Sequence, residues 1–228
     1  MPLKPFLLCR WGCAGVLVGS LAACSSLPRP PDAVVRYDLG VAPVQLAATK
    51  AQTPIALAQM QAPLLEDGNT AVRYRLAYAD AQVLHAYTQA RWSLSPAQVV
   101  QQRLREYLGE TGRVVLSAEA GEIPPSVNGR QVPVLRLALE EFSHVFSSTQ
   151  DSIGWVRVRA TLVDPAPQGD VLLAQKLFDV RQAAAAPNAA AGVQALAQGV
   201  QVVGQQMQQW LDSVTSAHPV EKSVLQKW

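Results

Sequence analysis

The side chains best spaced to bind something are two arginine pairs, Arg73 with Arg75 and Arg157 with Arg159. Members of each pair are two residues apart, so on a strand they leave the same face. Converging guanidinium groups of this kind could hold a lipid phosphate or an acidic partner. The simpler role is the hydrated face of a sheet, with Glu140 and Asp179 as neighbours. Glu140 and Glu141 look like an acid pair, but adjacent strand residues point to opposite faces and cannot jointly clasp one substrate. The three histidines, His85, His144 and His218, have no carboxylate motif beside them and read as structural or surface residues. There is no G-x-S-x-G elbow, S-x-x-K, H-E-x-x-H, P-loop or dinucleotide fingerprint. The pattern therefore points to no enzyme, no cofactor and no metal.

Cysteine chemistry is confined to the start of the chain. Lys4 and Arg10 form a short basic region, Trp11 to Ala23 is apolar or small, and the stretch closes on Leu21-Ala22-Ala23-Cys24. That is the order of a secretory signal peptide over residues 1–23. Its last four residues resemble the lipobox of bacterial lipoproteins, in which the cysteine thiol takes a diacylglyceryl group and cleavage falls just before it. Removal of residues 1–23 takes Cys9 and Cys13 away, so no internal disulfide and no cysteine-based metal site can form. It also takes Lys4 and Arg10, leaving the 17 acidic side chains matched by as many basic ones. Membrane residence then rests on the acyl chains at Cys24, which hold stably when there are two or three. Ser25 follows the cysteine. In enterobacteria an Asp there retains a lipoprotein in the inner membrane, so Ser25 points to the outer one.

Composition narrows the class further. The chain has 228 residues, of which 49% are hydrophobic and 16% charged, enough for one domain with a core and too apolar for a disordered chain. A formal net charge of +2 gives no basic field for nucleic acid. No apolar run after the signal segment is long enough to span a bilayer. Residues 24–33 follow the cleavage point and, from Ser25, read SSLPRPPDA, an extended proline-rich tether.

Residues 34–217 read as one α+β domain. Strands are expected at Val34–Gly40, Ile55–Gln61, Val72–Ala79, Arg113–Ala118, Val132–Phe146, Ile153–Val163 and Val171–Val180. The last three form an antiparallel meander, with the turn Asp164–Gly169 before the final strand. In Ile153–Val163, Val156, Val158, Ala160 and Leu162 line one face; Trp155, Arg157, Arg159 and Thr161 line the other. Ser95-Pro96 opens a helix to about Leu108. Pro187-Asn188 opens a second, whose apolar face runs from Val193 to Val214 and whose other side is crowded with glutamines. That glutamine side is a solvated face or, less simply, a partner surface. Residues 218–228 read as a loosely ordered tail. The expected architecture is a mostly antiparallel sheet backed by two long helices on one face.

The order of these pieces carries a resemblance. Tyr74–Asp80 (YRLAYAD), Tyr87–Trp92 (YTQARW), Ser95-Pro96 and the helix starting QVVQQRL come first. A strand containing Glu141-Phe142, the arginine-rich hairpin from Val156 to Phe178, and Trp210-Leu211 follow. Together they resemble the ABC-type transport auxiliary lipoprotein component family, in its paraquat-inducible (PqiC-like) branch. The likeness covers most of the chain after the signal segment; Val41–Gly68 carries no motif. It implies a fold similar to the N-terminal domain of TolB. It also implies a non-enzymatic lipoprotein of the periplasm that serves an ABC-linked lipid transport system, meeting at the outer membrane an MCE-domain protein anchored in the inner one. The resemblance further implies assembly into a homo-oligomeric ring, which is known in the family. Arg91-Trp92 is then either a packing staple at the start of the helix or a contact with the ring or partner. The competing reading of the whole chain is a structural or assembly lipoprotein that scaffolds the cell wall or another envelope complex.

Overall fold

The computed structural model describes residues 33–41, 52–63, 65, 68–110 and 112–217. The signal segment, Cys24, the tether as far as Asp32, and the 218–228 tail with His218 lie outside those residues. The chain divides between Ala33 and Val34, and the folded body begins at Val34.

Three strands of 13 residues each organise the fold: β8 (Val134–Phe146), β9 (Ser152–Asp164) and β10 (Val171–Ala183). Their pairing is antiparallel in sequence order, the expected meander. Val156, Val158, Ala160 and Leu162 are fully buried on one face of β9, as the alternation requires. The other edge of β8 is shared. Near its start it pairs with β2 (Ile55–Ala58), beyond which lies β5 (Val115–Ala118). Near its end it pairs with β3 (Ala71–Leu76), followed by β4 (Asp80–Trp92) and β1 (Val35–Tyr37).

The sheet is mixed, which corrects the expectation of a mostly antiparallel one. Contacts β1–β4, β2–β5, β2–β8 and β3–β8 are parallel. For the last three the crossover that parallel neighbours need includes the helix α1 (Pro96–Glu110), which lies in the chain between β2 or β3 and their partners β5 and β8; between β1 and β4 it is the intervening chain through β2 and β3. Strand β4 was not expected at all. Most of it is exposed, and its register against β3 breaks twice, between Ala71 and Arg73 and between Tyr74 and Leu76. A second unexpected element is the small hairpin of β6 (Ser126–Val127) and β7 (Arg130–Gln131). Its turn is Asn128-Gly129, with φ of 54° and 75°, the left-handed pair that a tight hairpin demands.

Both helices lie against the same sheet face. Helix α1 is capped as its sequence suggests: the Ser95 amide donates to Gln98 Oε1 at 3.2 Å, one arm of a capping box. Helix α2 (Ala189–Ala217) has 29 residues, and Asn188 Oδ1 accepts the Ala191 amide at its start. One core joins Val99, Val100, Leu104 and Leu108 of α1, Leu196, Val200, Val203, Met207 and Leu211 of α2, and the inward residues of the sheet. Gln194, Gln198 and Gln205 of α2 are exposed.

The contact between α2 and the meander is unusually close. A Cβ at Gly154 of β9 would lie 2.6 Å from the backbone nitrogen of Leu196, and one at Gly199 would lie 2.8 Å from Val156 Cγ2. A Cβ at Gly192 would enter the ring of His144. Gly154→Ala must therefore push helix and strand apart, at a cost of about 1–3 kcal/mol. Gly109→Ala, in α1 with nothing within 4 Å of the new atom, should instead stabilise by roughly 0.5–1 kcal/mol. Urea unfolding of the two variants should show midpoint shifts of opposite sign; a neutral Gly154→Ala would contradict the backbone contact.

Candidate docking face on the sheet

The sheet face away from the helices carries the arginines. On β9, Trp155, Arg157, Arg159 and Thr161 alternate with the buried row, so they all project to this far face. On β10, Gln175, Leu177, Asp179 and Arg181 stand opposite Thr161, Arg159, Arg157 and Trp155 in register. On β3, Arg75 pairs in register with Val145, and Arg73 lies two residues earlier on the same side.

The acid pair needs a correction. The β8–β9 register shifts between Leu139 and Glu141. This bulge inserts Glu140 as an extra residue, so strict alternation fails there. Both carboxylates serve far-face arginines: Glu140 Oε1 accepts from Arg159 Nε at 2.6 Å, and Glu141 Oε2 from Arg75 at 3.1 Å. The two arginine pairs thus flank β8 on one face, with the glutamates between them.

Asp179 is the hub of the other end of this face. Its carboxylate accepts from Trp155 Nε1 at 2.9 Å and from Arg157 Nε and Nη2 at 3.0 and 2.7 Å, with Arg181 Nε at 3.4 Å. Partial burial pushes its pKa up, but the hydrogen bonds from Arg157 and Trp155 and the charges of Arg157 and Arg181 outweigh that and hold it below the usual carboxylate range. Arg157 and Arg181 each lie 4.8 Å from the Trp155 ring centroid, a double cation–π contact. At the opposite end Arg136 pairs with Asp170. There a groove of about 1290 Å³ reaches from this face round to the start of α1, bordered by Arg136, Arg159, Thr161 and Asp170 and by Gln98 and Gln101. Trp155 and Arg181 were not among the expected site residues; Arg181 and Asp179 could have been found by carrying the period-two pattern of β9 across to β10.

Trp92 does not join this face, and the partly exposed Arg91, set between buried Ala90 and Trp92, is taken up locally. The Arg91 guanidinium folds back onto its own strand, donating to the carbonyls of Tyr87 at 2.6 Å and Ala90 at 2.9 Å. Trp92 is 1% exposed, with its ring 5.1 Å from that of Phe142, so it is a core residue and not a surface contact.

The two histidines among the described residues pack within the fold. His85 stacks on Tyr74 at 5.0 Å. His144 is fully buried, its Nδ1 2.9 Å from the Tyr87 hydroxyl. Burial pushes His144 down to about 4. Burial, then the neighbouring Tyr74, raises Tyr87 to about 12. Both are neutral near pH 7, and they form a polar strut within an aromatic cluster. Among the described residues no group of three or more His, Cys, Asp or Glu could hold a metal, and no helix is long and apolar enough to cross a membrane.

The class this architecture defines is an α+β domain with a mixed sheet, two helices on one face and an ion-paired far face. No family model matches the chain, and no curated protein matches it. Among solved structures it is similar to protein XCC0632 from Xanthomonas campestris, of the DUF330 family, with a TM-score of 0.61 at 15% identity over 83% of this chain and 98% of that one. It is also similar to an uncharacterized protein with a TM-score of 0.57 at 14% identity, over 79% of this chain and 99% of that one. At such identities the likeness shows the fold.

The site makes two measurable demands on stability. An unfolded histidine takes its proton near pH 6.5, whereas folded His144 takes it only near 4. The stability that neutral His144 allows is complete above about 6.5 and is lost as pH falls toward 4, with about 2 kcal/mol gone by pH 5. Urea titrations at pH 7.5 and 5 should show that loss, and His144→Gln should flatten it; an unchanged pH slope in the variant would contradict the assignment. Arg75→Met leaves the nearly buried Glu141 without its ion-pair partner and should cost about 2–3 kcal/mol. Arg136→Met, on an exposed pair, should stay within about 0.5 kcal/mol. Equal effects would refute the distinction.

Proposed function

We propose that the protein is a lipid-anchored envelope lipoprotein, acylated at Cys24 and held at the outer membrane facing the periplasm. In this reading it is a non-enzymatic auxiliary component of an ABC/MCE-type lipid transport system and docks the inner-membrane-anchored MCE-domain protein there. The observation that carries the reading is the far face of the sheet. Arg75, Arg157 and Arg159 are already fixed there by Glu140, Glu141, Asp179 and Trp155. A preordered polar face of this kind loses little side-chain freedom when a partner covers it, which suits docking better than catalysis. The lipobox sequence, the order of motifs along the chain and a fold shared with a DUF330 protein all support it. The placement of Arg73, Arg75, Arg157 and Arg159 on one face makes that face the candidate contact, and Trp92, buried in the core, is not part of it.

The test is to purify the full-length lipidated protein from gently solubilised envelopes and identify what accompanies it by mass spectrometry. An MCE-domain protein, with or without its permease and ATPase, is the expected companion. Cys24→Ser should move the protein out of the membrane fraction. Recovery of cell-wall proteins alone would reject the transport role in favour of the scaffold reading.

A further inference from the structure

The two ends of the sheet differ, and the direction of the first strand distinguishes them. One end is formed by the β3–β4 turn, Ala77–Ala79, docked to the end of β8 where the Ala77 amide donates to the Phe146 carbonyl at 2.9 Å. The other end is formed by the β9–β10 turn and the start of β8, since Val134 pairs with Val163. Twelve steps of β8 separate the two ends, about 40 Å. Both ends expose apolar side chains: Tyr78 and Val83 at the first, Val171, Leu172 and Ile123 at the second. Exposure alone therefore does not say which end meets a membrane.

Strand direction decides. β1 runs parallel to β4, with Val35 beside Ala90 and Arg36 beside Arg91. β4 starts at the Tyr78 turn and runs away from it, so β1 also runs away from that turn. The chain entering β1 at Val34 thus comes from the Tyr78 end. Arg91 is in register with Ala71, and Leu76 with Phe146. Val35 consequently lies about five strand steps, or about 17 Å, short of the Tyr78 end and about 23 Å from the other. Ten residue steps separate Cys24 from Val34, with a maximum reach of about 33–36 Å. Continued in the direction from which β1 is entered, that length passes the Tyr78 end with about half of it to spare. To bring Cys24 to the other end, a chain of that length would have to reverse at once and use most of its reach alongside the sheet.

We propose that the β3–β4 turn is the bilayer-facing end of the molecule, with Tyr78 and Val83 resting at the lipid headgroup level. This rests on the acylation of Cys24 proposed above. The chemistry of the turn fits. Residues 77–83 read AYADAQV and hold one charge, Asp80, whose carboxylate accepts the Gln82 amide at 3.0 Å. Tyr78 is 48% and Val83 40% exposed. A tyrosine presents an apolar ring with a polar tip, the side-chain type favoured at a membrane–water boundary. Arg75 lies just below, its guanidinium turned to the Ala81 and Gln82 carbonyls, so the turn is braced from beneath. With acyl chains as the anchor, this end needs to add only a shallow contact that sets orientation. The exposed Val171, Leu172 and Ile123 then point into the periplasm.

Once residues 1–23 are removed, Cys24 is the only cysteine and is blocked by its lipid, which permits single-site labelling. Full-length lipidated Tyr78→Cys and Gln168→Cys, each carrying an environment-sensitive dye, are bound to phosphatidylethanolamine–phosphatidylglycerol vesicles that contain nitroxide-headgroup lipid. Ala79→Cys is the substitute if Tyr78→Cys does not fold. The expected result is that the protein floats with the vesicles, that the dye at 78 or 79 is quenched, and that the dye at 168 is not. Flotation with equal quenching at both ends, or stronger quenching at 168, overturns the orientation and leaves the lipoprotein reading standing. Absence of flotation together with an N-terminal mass lacking acyl chains overturns both.

Discussion

The backbone of α2 rests directly on β9, and the rest of the architecture depends on that contact. Gly154 has no side chain to hold the helix off, and Leu196 and Ala195 occupy the space a Cβ would take. Gly192 and Gly199 do the same from the helix side against His144 and Val156. A helix so close to its sheet brings Val200, Val203, Met207 and Leu211 into full burial. It also closes off the ring of His144 from water, which is why that histidine can stay neutral far below its ordinary titration range. Arg113 ties the lower part of α2 to the sheet, donating to the Thr53 carbonyl and pairing with Asp212.

With the helices committed to one face, the other face is left to polar side chains, and β8 determines how they meet. Its bulge beside Glu140 turns two consecutive glutamates to the same face, one toward Arg159 of β9 and the other toward Arg75 of β3. Without the extra residue one of them would point into the core, where an unpaired carboxylate is costly. The result is a face in which Arg75, Arg157 and Arg159 each have a carboxylate partner and Trp155 lies against Arg157 and Arg181. Fixed guanidinium groups favour recognition by shape and complementary charge over general attraction to an anionic surface.

The parts of this fold with strong local periodicity were legible from the residues alone. Alternation over Ile153–Val163 marked β9 and both of its faces, and Ser95-Pro96 and Pro187-Asn188 marked both helix starts. Strand β4 was not legible, because residues such as Asp80, Gln82, His85 and Thr88 show no buried period and the pairing with β3 is broken by irregular register. The parallel pairings were hidden for another reason: β2 and β3 meet β8 only after a helix and long stretches of chain intervene, and no local pattern encodes that meeting. Within the site, the common face of Arg157, Arg159 and Trp155 was readable. The bulge at Glu140 was not, and it overturned the opposite-face placement that simple alternation gives to Glu140 and Glu141. Trp92 drew attention as a motif residue, yet its burial against Phe142 is a packing role.

The folded body is closely packed on its helix side and preordered on its arginine side. The central claim is that the arginine face meets a transport partner. Leu177 is 41% exposed and stands in register with Arg159 on that face. A photo-crosslinking residue placed at Leu177 in intact cells tests the claim most directly. A docking role predicts a crosslink to an MCE-domain protein, lost when Arg157 and Arg159 are both replaced by glutamine. Crosslinks only to cell-wall proteins, or none while the protein remains folded and acylated, would contradict it.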